Sequence, residues 1–166
     1  LSAAAVYADG TWEPVTASFT ADEDCTVYVV TRKVNPRSIN VLDPEAGKLL
    51  AKVFFEYFEE HLDEDVRDAL NYCFQDEFMP GCNTQRIWSD SLRAKIEEEK
   101  GYDIVPLLFE LFVETPECVK TRLDYCDVKT GMTEEGYFKP IYDFHASRGL
   151  IYGCDQCSRG LSPGEY

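Results

Sequence analysis

The sequence predicts an α/β fold in which parallel strands are joined by crossover helices, with a small β-hairpin in front. Three observations lead there. Apolar runs rich in β-branched and aromatic residues occur at Cys25–Thr31, Leu70–Gln75 and Leu150–Asp155. Between them lie segments whose apolar residues return every three or four positions, and strands that alternate with helices imply parallel pairing and right-handed crossovers. A chain of 166 residues that is 45% hydrophobic and 13% aromatic can bury a core as one domain.

Taken in order, Ala5–Ala8 and Thr11–Val15 flank Asp9-Gly10, whose tolerance of positive φ makes a tight hairpin turn. Residues 1–24 are read as this peripheral segment and residues 25–166 as the main body. Cys25–Thr31 is continuous enough in apolar character to be a strand buried on both faces, as parallel strands are. Asp43, Pro44 and Glu45 suit a helix N-terminus. The helix is expected to run to about His61, with Ala46, Leu49, Leu50, Val53, Phe54, Tyr57 and Phe58 forming one stripe against the sheet.

The second core strand, Leu70–Gln75, closes on Asp76-Glu77 and the breaker Pro80-Gly81. Ser89 is placed to cap a helix carrying Leu92 and Ile96, and Gly101 to end it in a left-handed conformation. Further helical segments follow at Ile104–Phe112 and from Thr115 through Val119, Leu123 and Cys126. A break is expected near Gly131, after which the pattern resumes to a stop at Gly149. Leu150–Asp155 is the third core strand. A (β/α)8 barrel takes about 250 residues. Three core strands therefore leave two expectations open, part of a barrel or a small open sheet. No internal repeat or low-complexity linker divides the chain.

The net charge of −15 opposes binding to a phosphate backbone, which needs clustered Lys and Arg, so no nucleic-acid partner is expected. The acidic runs Asp63-Glu64-Asp65 and Glu97-Glu98-Glu99 read as solvated helix faces. No apolar run approaches the roughly 20 residues of a membrane-spanning helix, and Leu1–Val6 has neither a basic region nor a long apolar stretch. No membrane partner is expected. Seven cysteines, an odd number in a chain too large to need staples, favour a reducing compartment such as the cytoplasm.

Several short motifs carry a family resemblance. Phe74-Gln75-Asp76-Glu77-Phe78, Trp88-Ser89-Asp90 and Lys100-Gly101-Tyr102-Asp103-Ile104 resemble the catalytic barrel of the α-L-rhamnosidase-like glycoside hydrolases, family 106 and its uncharacterised relatives. The resemblance continues at Arg122-Leu123-Asp124-Tyr125, Phe138–Tyr142 and Arg148–Asp155. It covers most of residues 25–166 and corresponds to the middle of a (β/α)8 TIM-type barrel. By this resemblance, Glu77 is a general acid and Asp76 its charge partner or a substrate contact. A second carboxylate would come from a later strand, in the remainder of a larger catalytic chain. The family's association with calcium makes that ion the one cofactor implied, although no complete ligand set is visible.

The residues themselves bear on the chemistry. Glycoside hydrolysis needs one protonated carboxyl at the departing oxygen and one ionised carboxylate across the bond. Adjacent Asp76 and Glu77 cannot do both. Asp155, at the end of another strand, is the best second carboxylate in the chain, with substrate binding as its expected role. Arg159 can reach a sugar hydroxyl or form a surface ion pair, and Trp88 can stack on a sugar face. Tyr102, Tyr125, His61 and His145 are read as structural. Two alternatives stand beside the hydrolase: a non-catalytic carbohydrate-binding α/β module, and a metal-binding or thiol-redox protein built on Cys154 and Cys157. A zinc site there would need two further ligands, and no residue is assigned as a metal ligand.

Overall fold

The computed structural model describes residues 1–34, 36, 39–78 and 86–156, without the side chains of 77, 78, 155 and 156. Its elements form two compact units. The first holds residues 1–34, 36 and 86–128, and the second residues 39–78 and 129–156, so the first supplies a stretch of chain between the two segments of the second.

The first unit is built on an antiparallel sheet of β1 (Ser2–Tyr7), β2 (Trp12–Pro14) and β3 (Cys25–Val30), in the order β2-β1-β3. The turn at Asp9-Gly10 forms as its chemistry dictates. Gly10 takes φ +84, and the Asp9 carboxylate accepts from the Thr11 amide and hydroxyl at 2.9 and 2.7 Å. The hairpin read as peripheral thus contributes the middle strand, where Ala4 and Ala5 are fully buried. The reading of β3 as a parallel strand buried on both faces is corrected. β3 runs antiparallel to β1, and most of its residues are exposed or half-buried at the sheet edge. A β-branched run specifies a strand, whereas its neighbour is chosen by the turns and by what else needs a partner.

A helix, α4 (Asp90–Lys100), a 3-10 helix (Val105–Leu111) and the start of α5 (Cys118–Thr133) complete this unit. The Ser89 hydroxyl caps α4 by accepting from the Leu92 amide at 3.0 Å, and Gly101 ends it at φ +79. Leu92, Ile96, Ile104, Leu108, Phe109, Leu111 and Tyr125 form a sealed core. Trp12 meets Phe109 edge to face, with ring centroids 5.0 Å apart. Glu110 is also buried, its carboxylate accepting from the hydroxyls of Thr115, at 2.7 Å, and Thr121.

The second unit contains β4 (Tyr72–Phe78) and β5 (Ile151–Gln156), a parallel pair as the strand–helix pattern implies. Its helices include α1 (Ala46–Leu50), a π-helical turn (Ala51–Glu56) and α2 (Tyr57–His61), followed by α3 (Glu64–Asp68). The helix begins at Ala46, later than the sequence suggests, because Asp43 turns back to accept from the Glu45 amide at 2.9 Å. Its apolar stripe packs only at the start. Ala46 and Ala51 are buried, while Leu49, Val53, Phe54, Tyr57 and Phe58 are exposed, which corrects the expected cover of the sheet.

No break occurs at Gly131. α5 continues through it into a π-helical turn (Glu134–Phe138) and α6 (Lys139–Ala146). The irregularity lies one turn later because Pro140 lacks the amide that an α-helix would direct to the Gly136 carbonyl. Gly47 and Gly136 bring the α1 region and the π-helical turn together: a β-carbon on Gly47 would lie 2.3 Å from the Tyr137 carbonyl oxygen, and one on Gly136 2.8 Å from that of Asp43. Among the described residues, no helix is long and apolar enough to cross a membrane.

Candidate functional site

The strand ends of the second unit bring the backbones of the acidic residues singled out in the sequence into one ladder. β4 and β5 pair Tyr72 with Ile151, Cys73 with Tyr152, Phe74 with Gly153 and Gln75 with Cys154. The next pair is Phe78 with Gln156, three residues further along β4 but only two along β5. An extra residue is thus accommodated at Asp76-Glu77, and the ladder bulges there. Such bulges locally re-aim the chain and concentrate near functional sites. Asp155 lies between Cys154 and Gln156 on the neighbouring strand, so both acidic segments occupy the C-terminal ends of adjacent parallel strands. That is the end at which parallel α/β sheets bind ligands.

The two faces of this ladder differ. On one, Gln75 donates to the Tyr137 hydroxyl at 3.0 Å and accepts from the Tyr152 hydroxyl at 2.7 Å. Burial pushes both phenols up, so they remain protonated hydrogen-bonding groups. Tyr152 stacks on His145, with centroids 5.1 Å apart, and His145 is fully buried with Nδ1 2.7 Å from the Ile141 carbonyl. This network fixes the strands against α6. Its signal in the sequence is Gln75, a glutamine within an apolar strand to which the motif assigns no role.

On the other face Tyr72 and Phe74 stand half-exposed, at 48% and 51%, with their rings stacked 6.1 Å apart and 20° from parallel. Both lean over Gly153, where a β-carbon would lie 2.8 Å from the Tyr72 hydroxyl. Asp76 is exposed and continues the alternation of exposed positions along β4. The arrangement places an aromatic platform beside an acidic strand end.

Each remaining candidate has its place. The backbones of Glu77 and Asp155 belong to β4 and β5, while Arg159 and Cys157 lie outside the described residues. Trp88 belongs to the first unit, just before α4, with Nε1 buried and without a hydrogen-bond partner among the described residues. Tyr125 is a core residue, donating to the Ile87 carbonyl at 2.7 Å. The Tyr102 hydroxyl donates to Asp124 at 2.9 Å, and the Lys120 ammonium lies over its ring. Burial raises Asp124, but the hydrogen bonds from Lys120 and Tyr102 outweigh it and hold the carboxyl below its usual range.

Among the described residues, Cys25, Cys73 and Cys118 take part in no disulfide. Burial, then the nearby Glu59 charge, pushes the Cys73 thiol up and away from a reactive thiolate. Among the described residues no group of three or more His, Cys, Asp or Glu side chains is arranged to hold a metal ion. Compared with known proteins, the chain matches no protein-family model, and no curated protein matches it.

Proposed function

We propose that this chain is a catalytic-barrel segment of a glycoside hydrolase of the α-L-rhamnosidase-like kind, cleaving a glycosidic bond by carboxylate acid–base catalysis. The reading is carried by the bulged end of β4, where Asp76-Glu77 lies beside the Asp155 segment of a parallel neighbour, joined to the motif resemblance. Glu77 is the acid. Its carboxyl donates a proton to the glycosidic oxygen as the bond to the anomeric carbon breaks, so the leaving group departs as a neutral alcohol. Asp76 supports the charge balance, and Asp155 and Arg159 bind sugar. An ionised carboxylate from a further strand of a longer catalytic chain activates water or attacks the anomeric carbon.

The test is hydrolysis of an aryl and alkyl glycoside panel by the full polypeptide carrying this segment. Glu77→Gln is expected to lower kcat/KM for alkyl glycosides by about 10²–10⁴-fold. The loss shrinks for nitrophenyl glycosides, whose leaving group needs little protonation. Equal hydrolysis by variant and parent on alkyl glycosides would remove Glu77 from the mechanism.

One observation favours a second reading, a carbohydrate-binding module that turns nothing over. The half-exposed Tyr72–Phe74 stack is a flat apolar surface of the kind that packs on a sugar ring. Sugar binding lost in Tyr72→Ala and Phe74→Ala, with no turnover by the parent polypeptide, would select it.

A further inference from the structure

β3 is an edge strand with an unusual distribution of charge. The order β2-β1-β3 leaves its second side without a strand partner among the described residues. Its six residues, Cys25–Val30, contain no charge and no proline, and Val27 and Val29 are 46% and 67% exposed. Natural edges are usually protected by a charged or proline residue within the strand. Here the charges flank it instead, Asp22-Glu23-Asp24 before and Arg32-Lys33 after.

We propose that β3 is a self-association edge, along which two copies of this chain pair antiparallel with Tyr28 opposite its counterpart on a two-fold axis. Symmetry restricts the register. In an antiparallel ladder, opposed residues direct their peptide groups the same way, so a two-fold pairing joins residues an even number of positions apart. With Tyr28 on the axis, Val27 faces Val29, Thr26 faces Val30 and Cys25 faces Thr31. Beyond the strand, Asp24 then faces Arg32 and Glu23 faces Lys33, and symmetry repeats both contacts at the other end. Centring on Val27 instead sets Asp24 against Val30, and centring on Val29 sets it against Val34. Only the Tyr28 register joins opposite charges at both flanking positions, and it also gathers the exposed valines of the two copies into one patch. The pairing of Arg32 with Asp90 in its own copy, at 3.3 Å with both side chains exposed, is a weak competitor. The net charge of −15 opposes association, so physiological salt, with a Debye length of about 8 Å, suits the measurement.

Sedimentation equilibrium of the chain over a hundredfold range of concentration tests this, with far-UV circular dichroism as a check on folding. The parent is expected to show a monomer–dimer equilibrium. Val29→Lys, at an exposed position, should weaken it by about tenfold or more, since symmetry places two lysines within the apolar patch. Asp24→Arg and Arg32→Asp should each weaken it by setting like charges opposite one another. An equimolar mixture of those two variants should recover the dimer, because both ends of the heterodimer again join opposite charges. A parent that is monomeric throughout would overturn the proposal. So would a dimer indifferent to Val29→Lys, or a mixture no stronger than its components.

Discussion

The two units treat their apolar residues differently. In the first, the large side chains of α4, the 3-10 helix and α5 converge, so that Leu92, Ile96 and Ile104 are entirely enclosed. In the second, Leu42, Tyr137, Ile141 and His145 are buried, yet Leu49, Val53, Phe54, Tyr57, Phe58, Tyr72, Phe74 and Ile151 remain open. An antiparallel sheet can leave one face to water, whereas a parallel sheet normally has both covered. The contrast teaches that amphipathic spacing identifies which face of an element is apolar without saying whether anything packs there.

The largest expected effect comes from exchanging equivalent side chains between these regions. Phe109→Ala should cost about 3–5 kcal/mol, through lost burial and a cavity beside Trp12. Phe54→Ala should cost less than about 1 kcal/mol, because its ring is already half in water. Denaturant unfolding followed with hydrogen exchange on each unit measures both. Equal losses would erase the contrast.

Within the second unit, two glycines show the same contrast between covered and open positions, with opposite signs. Gly47→Ala adds a β-carbon 2.3 Å from a backbone oxygen, an overpacking that should cost about 1–3 kcal/mol even after the gain in helix propensity. Gly131 has nothing within 4 Å, so Gly131→Ala should stabilise the helix by about 0.5–1 kcal/mol. Thermal unfolding of the two variants distinguishes crowded from open helical glycines.

The smallest effect is electrostatic. Arg93 donates to Asp103 at 2.9 and 2.7 Å, and Asp103 also accepts from the Val105 amide at 3.1 Å. Burial raises the Asp103 carboxyl, but the Arg93 and Val105 hydrogen bonds outweigh it, leaving it below its usual range. A carboxyl lowered in the folded state adds stability above its unfolded value of about 3.9 and loses it as the pH falls through the folded value. The pair is partly exposed, so the contribution should be about 1 kcal/mol or less. Stability measured from pH 6 to pH 2 should therefore fall more steeply in the parent than in Asp103→Asn.

Local chemistry accounts for what could be read from the sequence. Asp9-Gly10, Ser89 and Gly101 each specify backbone geometry with groups a few residues away, and each forms as read. The parallel relation of β4 and β5 also follows from the helical pattern between them. What was not legible depends on distant partners. The Val27 and Val29 pattern is the same for an edge strand as for a central one, and the stripe from Leu49 to Phe58 reads the same whether covered or bare. At the candidate site, Asp76-Glu77 was found from its place after an apolar run. The bulge that holds it and the Tyr72–Phe74 stack beside it arise from pairing with β5, whose register no local pattern specifies.

The ladder between β4 and β5 has a kinetic consequence. Gln75 and Tyr152 are 77 residues apart in sequence, whereas the Asp9-Gly10 turn closes within a few. Closing a long loop costs entropy before its contacts return any stabilisation, so distant parallel pairings form slowly. Synthesis sharpens the order: β5 leaves the ribosome only after α4 and α5 have emerged, while β4 waits with an unmatched edge. The acidic strand ends are therefore expected to be the last part of the described fold to assemble, and the part most dependent on the rest having folded first.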